Sequence, residues 1–268
     1  MNETRWLCCA VLVVLAMTVP ASADTYMLFD DWGGTWYDAE KDTDSNEDNA
    51  LCWAASASNM LMWTRWGLVD GLTNEDEMLD IYEDHWEDVA GHPHVGIQWW
   101  FDGTNSKEGV ADWAQIDVSG GGGYYPTETV TDYLFWAGDS DKSMESIETY
   151  LRAGYATSVW VGGGGHFITV WGFDFDANTG AYEGVWVTDS DDDKGGPAPR
   201  TDELVYYDVT WHAGESLWGL EDYYGSDAWR MGGVTGLAQN PVPEPGSLAL
   251  VGLVGLGLIW YRRRRDTT

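Results

Sequence analysis

Basic residues are scarce in this chain. Its 268 residues hold 13 Lys and Arg against 45 Asp and Glu, a formal net charge of −32. A nucleic-acid binder needs cations against the phosphates, so that class is excluded. Docking of the folded body on an anionic lipid surface falls for the same reason. Cysteine is almost as rare. Of the three, Cys8 and Cys9 lie in an apolar N-terminal run, and only Cys52 stands in the body. An exported domain is allowed disulfides, yet this one has no pair to make. A single thiol in an oxidising place is either buried and inert or kept for its reactivity. Long apolar runs are missing too. The two apolar stretches, Trp6–Val19 and Leu248–Tyr261, have 14 residues each, roughly 21 Å as helix against about 30 Å of hydrocarbon. There is no internal repeat and no alternation of strand and helix patterns, which excludes solenoids and doubly wound sheets.

Apolar residues make up 44% of the chain and charged residues 22%, proportions that support a packed core. The two ends are addresses. Arg5, the apolar run after it and the small residues Ala21-Ser22-Ala23 read as a secretory signal over residues 1–23. At the other end Val242-Pro243-Glu244-Pro245 precedes the second apolar run and then Arg262–Arg265. The four arginines would stay on the cytoplasmic side, and the run would span only by thinning the bilayer. This tail resembles the PEP-CTERM sorting signal of Gram-negative bacteria. The resemblance implies recognition by a membrane exosortase, and an exported protein that is released or held transiently in the envelope. A plain C-terminal anchor is the alternative. The body is then residues 24–240, with the sorting segment at 241–268. The head holds Arg5 and Glu3, and the tail four Arg, Glu244 and Asp266. Without them eight basic and 42 acidic residues remain, net −34. Such a charge favours a soluble monomer.

Within the body, helical spacing falls on Cys52–Trp66, with Gly67 as its stop. It falls also on Thr73–Trp86, where Thr73 and Asp76 form a capping pair, and on Pro126–Trp136 and Ser143–Arg152. Period-two patterns follow at Ala156–Val161, His166–Phe175, Tyr182–Asp189, Leu204–Trp211 and Arg230–Ala238. Residues 24–49 read as loop. Helices first and strands second is an α+β order.

Three residue types that work together in nucleophilic catalysis occur in this frame. Cys52 opens a helix, where the dipole and free N–H groups favour a thiolate. His166 follows Gly162–Gly165 and begins a strand. Asp189 and Asp191 end the next strand. A hairpin around Asp176–Gly180 would bring His166 and Asp189 together, giving a nucleophile, a base and an orienting carboxylate. Each feature alone has a plainer reading, as packing, a strand start or an acidic turn. Their combination points to a cysteine hydrolase.

The residues Trp36-Tyr37-Asp38 with Lys41, Leu51-Cys52 with Ala54, Ala55, Ala57, Asn59 and Trp63, His166 with Ile168, Trp171-Gly172 and Asp174-Phe175-Asp176, and Val187-Thr188-Asp189-Ser190-Asp191 resemble the Mac-type, immunoglobulin-G-degrading cysteine endopeptidases of streptococci. The similarity is discontinuous over residues 36–191. It implies a papain-like fold and cleavage of a protein or peptide through an acyl-thioester; no cofactor and no metal is expected. It also implies roles: Cys52 as nucleophile, His166 as base and then acid, Asp189 orienting the imidazole, Asp191 supporting the site, and Lys41 helping the Cys52 N–H bind the oxyanion. The segment between the Cys helix and the His strand is shorter than in that family. The chemistry therefore carries over and an antibody substrate does not.

Other residues invite competing readings. His85, His92 and His94 suggest zinc, but their spacing suits no helix-borne ligand pair. Asp42–Asn46 and Asp174–Asn178 resemble the start of a calcium loop but lack its Gly and Glu, and read as turns. The 16 body tryptophans read mostly as packing, with Trp99-Trp100 a candidate wall of a substrate groove. The alternative to an enzyme is an envelope or matrix protein that binds calcium or glycans through its acidic loops and tryptophans.

Overall fold

A computed structural model gives the structure, and it describes residues 23–41, 48–69, 71–162, 165–191 and 202–241. Residues 1–22 of the secretory signal, the calcium-like stretch at 42–46, Gly163, Gly164 and the apolar tail lie outside the described residues. Among those described, no helix is long and apolar enough to cross a membrane.

The fold is α+β, built on one antiparallel sheet. In chain order the elements are β1 (Asp24–Met27), α1 (Leu28–Trp32), α2 (Cys52–Trp63), α3 (Glu75–His85), α4 (Pro93–Asp102), β2 (Leu134–Ala137), α5 (Ser143–Arg152), β3 (Ala156–Val161), β4 (His166–Asp176), β5 (Ala181–Thr188), β6 (Val205–His212), β7 (Leu217–Leu220) and β8 (Met231–Leu237). The sheet runs β2-β8-β3-β4-β5-β6-β7, and β1 pairs with the far half of β4. The hairpin expected around Asp176–Gly180 joins β4 to β5, with Thr169 opposite Thr188.

Helices cover both faces. Asn59 of α2 donates to Thr169. A side chain at Gly236 would strike the ring of Tyr150 on α5. Thr169 and Gly236 lie on opposite faces, because Thr169 shares its row with Ser158 and Gly236 with the adjacent Thr157. Helix α2 carries no charge and all its residues are buried, as a helix enclosed on every side must be.

Several boundaries differ from the sequence pattern. Helix α2 ends at Trp63, because Arg65 turns left-handed at φ +67. Gly67 serves packing instead, since a Cβ there would lie 2.3 Å from the Met78 side chain. The α3 cap is Asn74, which accepts from the Glu77 N–H, while Glu77 accepts from the Thr73 N–H; the capping pair sits one residue later than Thr73 and Asp76. No helix forms over 126–136. Only a short 3-10 turn at Val130–Asp132 precedes β2. The run Thr127, Thr129, Val130, Thr131 is β-branched, and the aromatics after it suit a strand. Residues 24–49 are not all loop, since they hold β1 and α1. Helix α4 is absent from the sequence pattern, although Pro93 starts it and Gly103 stops it at φ +78.

Seven of the body tryptophans are core, while Trp32, Trp136, Trp160 and Trp211 are exposed. Trp53, Trp66, Trp99, Trp100 and Trp171 are fully buried, so Trp99-Trp100 forms no groove wall. Several of these indole N–H groups are provided for: Trp66 donates to the Ala238 carbonyl, Trp100 to that of Trp66 and Trp171 to Thr188 Oγ1.

A buried polar knot joins α2 to the sheet. Asn59 accepts from the Ala39 N–H at 2.7 Å and donates to Thr169 at 3.1 Å. Thr188 donates to the Tyr37 carbonyl. Asn59→Ala leaves the buried Ala39 N–H unpaired and is expected to lower stability by about 2–3 kcal/mol in urea unfolding.

Candidate active site

Cys52 is the first residue of α2, and Leu51 before it offers no side-chain cap. The Ala54 and Ala55 N–H groups both return to the Leu51 carbonyl. The Cys52 N–H has no acceptor among the described residues and is free to serve a ligand. Next to Cys52, Trp53 is seated tightly. Its indole donates to the Val89 carbonyl, and a Cβ at Gly91 would lie 2.4 Å from its ring. The Ala50 N–H donates to Asp88 at 2.6 Å, so the loop before α4 braces the start of α2.

His166 enters from β4. Gly165, at φ +78, makes the left-handed turn before it, and the Gly162 N–H is held by the Arg230 carbonyl. Asp189 follows β5 directly. The β4–β5 pairing sets His166 Nε2 2.6 Å from Asp189 Oδ1. With Nε2 committed to the carboxylate, Nδ1 is the nitrogen left for the thiol. Cys52, His166 and Phe167 share one cavity lining, and the imidazole and the Phe167 N–H both act on the thiol electrostatically.

The electrostatics favour an ion pair. Burial pushes the Cys52 thiol up, but the His166 hydrogen bond and charge, then Lys41, outweigh it, and the thiol falls below its ordinary value. Burial pushes His166 down, but Asp189 and the Cys52 sulfur raise it to about 10. Asp189 is pushed up by burial and pulled lower overall by His166, by Tyr223 and by the Asp191 N–H. Cys52 is 7% exposed and His166 8%, so solvent screens this pair little.

Asp191 bridges two charges. Its Oδ1 lies 2.5 Å from Lys41 Nζ and its Oδ2 3.6 Å from His166 Nδ1. Lys41 is wholly buried and also donates to the Asn49 carbonyl at 3.2 Å. Its ammonium does not line the cavity beside Cys52, so the structure places it as the partner of Asp191 and as a nearby positive charge for the thiolate. Side chains of α2 and α3 hold its segment by the backbone: Glu75 accepts from Asp38, Asn59 from Ala39 and Asp76 from Glu40. The Lys41 N–H itself donates to the Ser190 carbonyl.

The cavity over this group has a volume of about 350 Å³. Its walls include Asn49, Gly91, Phe167, Tyr224 and Trp229. Of the five residues singled out in the sequence, Cys52, His166 and Asp191 line this cavity, and Asp189 and Lys41 stand behind it, on His166 and Asp191. The sequence pattern does not point to Tyr223 and Tyr224. Both hydroxyls donate to Asp189 Oδ2, at 2.5 and 3.2 Å. The only local sign is an aromatic pair ahead of Gly225, which says nothing of a partner more than thirty residues away.

The residues considered for metals have other engagements. The two Nδ1 atoms of His92 and His94 meet at 2.7 Å, and His92 caps α4. Burial holds His92 near 3 and His94 near 4. His85 meets the Val118 carbonyl. Asp176 accepts from the Asn178 N–H and from Thr179 Oγ1, the pattern of an Asx turn. Among the described residues no group of three His, Cys, Asp or Glu is placed to hold a metal.

No curated protein matches the chain. Residues 241–265 match the family described as the PEP-CTERM protein-sorting motif. The motif marks a protein that is exported, sorted to the envelope and recognised by an exosortase-type sorting enzyme.

Proposed function

We propose that the chain is an exported cysteine endopeptidase of papain-like fold, related to the Mac-type enzymes, that cuts an extracellular protein or peptide as a monomer. The observation that carries this reading is Cys52 and His166 on the lining of one cavity, with His166 Nε2 2.6 Å from Asp189 and Cys52 on an uncapped helix start.

The chemistry follows from the geometry. The Cys52 thiolate attacks the scissile carbonyl carbon. The S–C bond forms, and the carbonyl π pair moves to oxygen. The free Cys52 N–H and the α2 dipole stabilise that oxyanion. His166 gives its Nδ1 proton to the leaving amine as the C–N bond breaks, leaving an acyl-thioester. Neutral His166 then takes a proton from water, whose oxygen displaces sulfur. Asp189 holds the ring in line throughout and favours the imidazolium. Asp191 and Lys41 form a second ion pair beside the first.

A peptidyl electrophile that mimics the acyl step tests the reading. It is expected to add once, at Cys52, and to leave Cys52→Ala and His166→Ala protein unlabelled. Equal labelling of the His166→Ala protein contradicts the proposal.

A further inference from the structure

Asp189 is held by more hydrogen bonds than one imidazole needs. Its Oδ1 accepts from His166 Nε2 at 2.6 Å and from the Asp191 N–H at 3.1 Å. Its Oδ2 accepts from Tyr223 at 2.5 Å and Tyr224 at 3.2 Å. The two tyrosines are not equivalent. Tyr223 is fully buried, its ring enclosed by Tyr207, Tyr224 and Trp229. Tyr224 is 52% exposed and lines the cavity. It also holds a left-handed φ of +49, which a non-glycine residue adopts only against a steric penalty.

We infer that Tyr223 is a positioning residue of the proposed acyl transfer, fixing the second oxygen of Asp189 so that the first stays in line with His166 Nε2. The inference rests on the cysteine peptidase reading. A carboxylate bound through one oxygen can swing about its Cα–Cβ and Cβ–Cγ bonds. A donor on each oxygen removes that freedom, and a misplacement of about 1 Å at a reacting group can cost 10²-fold in rate. Tyr223 is suited to the task because its ring cannot turn away among its neighbours. Burial and the Asp189 charge both hold its hydroxyl protonated, so it remains a donor. The groups facing Asp189 are His166, the Asp191 N–H and the two tyrosines. Those facing Tyr223 are Asp189, Tyr207 and Tyr224.

The test is the pH profile of iodoacetamide alkylation at Cys52 in the whole protein, compared with Tyr223→Phe, which keeps the ring and removes only the hydroxyl. The rate constant near pH 6 is expected to fall roughly tenfold, the worth of one hydrogen bond to a charged group. The midpoint of the acid limb is expected to rise, because a wandering imidazolium stabilises the thiolate less. A lower melting temperature with an unmoved midpoint means a structural tyrosine and overturns the inference. If Tyr223→Phe does not fold, replacing Tyr223 by 3,5-difluorotyrosine keeps the shape. That more acidic phenol drains charge from Asp189, so the alkaline limb set by His166 moves to lower pH; an unmoved limb overturns the inference. Native protein whose labelling ignores His166→Ala overturns the peptidase reading and the inference together. Native protein that depends on His166 but is indifferent to Tyr223→Phe overturns the inference alone.

Discussion

Cys52→Ala is expected to end peptide-bond cleavage, a loss of roughly 10⁴–10⁶-fold, while the protein stays folded. In the proposed reaction the sulfur is the nucleophile. Alanine at the start of a helix already rich in Ala54, Ala55 and Ala57 removes one buried atom, so the change in stability is expected to stay near 1 kcal/mol. His166→Ala is expected to match it in turnover for a different reason. Burial alone would then act against the thiolate, with Lys41 as the remaining nearby charge, and no group would protonate the leaving amine. Digestion of a peptide library by the native protein and both variants, with circular dichroism on each, reads the two effects apart. Residual cleavage by Cys52→Ala would place the activity elsewhere.

Asp189 is the second position of large effect, and two substitutions separate its roles. Asp189→Ala leaves the His166 Nε2–H, the Asp191 N–H and two tyrosine hydroxyls without their acceptor. Turnover is expected to fall about 10²–10⁴-fold as the base loses its orientation. Stability is expected to fall by about 3–5 kcal/mol, as when one partner of a buried pair is removed. Asp189→Asn keeps an acceptor for His166, removes the charge, and turns an NH2 donor toward the two tyrosine hydroxyls. His166 is raised to about 10 from an ordinary 6.5 chiefly by that charge, so the alkaline limb of kcat/KM is expected to move to lower pH. The stability change has a definite sign. A base with a raised folded value stabilises fully below its unfolded value, near 6.5, and loses that contribution as pH climbs to about 10. The deficit of Asp189→Asn is therefore expected to be largest below pH 6.5 and to shrink toward pH 10. Urea unfolding at four or five pH values measures it. A deficit that grows with pH contradicts the assignment of the charge to His166.

Much of this site is legible in the amino-acid sequence. Cys52 at a helix start, His166 after glycines and Asp189 at a strand end are local features, and the β4–β5 hairpin needs only the turn between two period-two runs. The α+β order is visible for the same reason. What the sequence hides depends on packing or on competing local signals. Helix α4 has Pro93 and Gly103 at its ends, but its apolar residues cover most of its surface and show no stripe. The run from Thr127 to Trp136 has apolar residues at helical spacing, yet β-branching and pairing with β8 decide it. Lys41 lies near Cys52 in sequence and in space, but spacing along the chain cannot tell which way an ammonium points, and Asp191 takes it. Trp99 and Trp100 are open to two readings because both occur in the same pattern, and only enclosure by Tyr82, Trp86 and Tyr124 settles them as core. Tyr223 and Tyr224 carry no local signal of their role, since their value lies in a contact made by the fold.

The central claim is that Cys52 is a thiolate held by His166. The pH dependence of iodoacetamide alkylation at Cys52, in the native protein and in His166→Ala, tests it most directly. The account predicts fast labelling already at pH 5–6 in the native protein and loss of that labelling in the variant, because the thiol lies below its ordinary 9.0 only while the imidazolium is beside it. Labelling that rises only above pH 8, unchanged by His166→Ala, would contradict it.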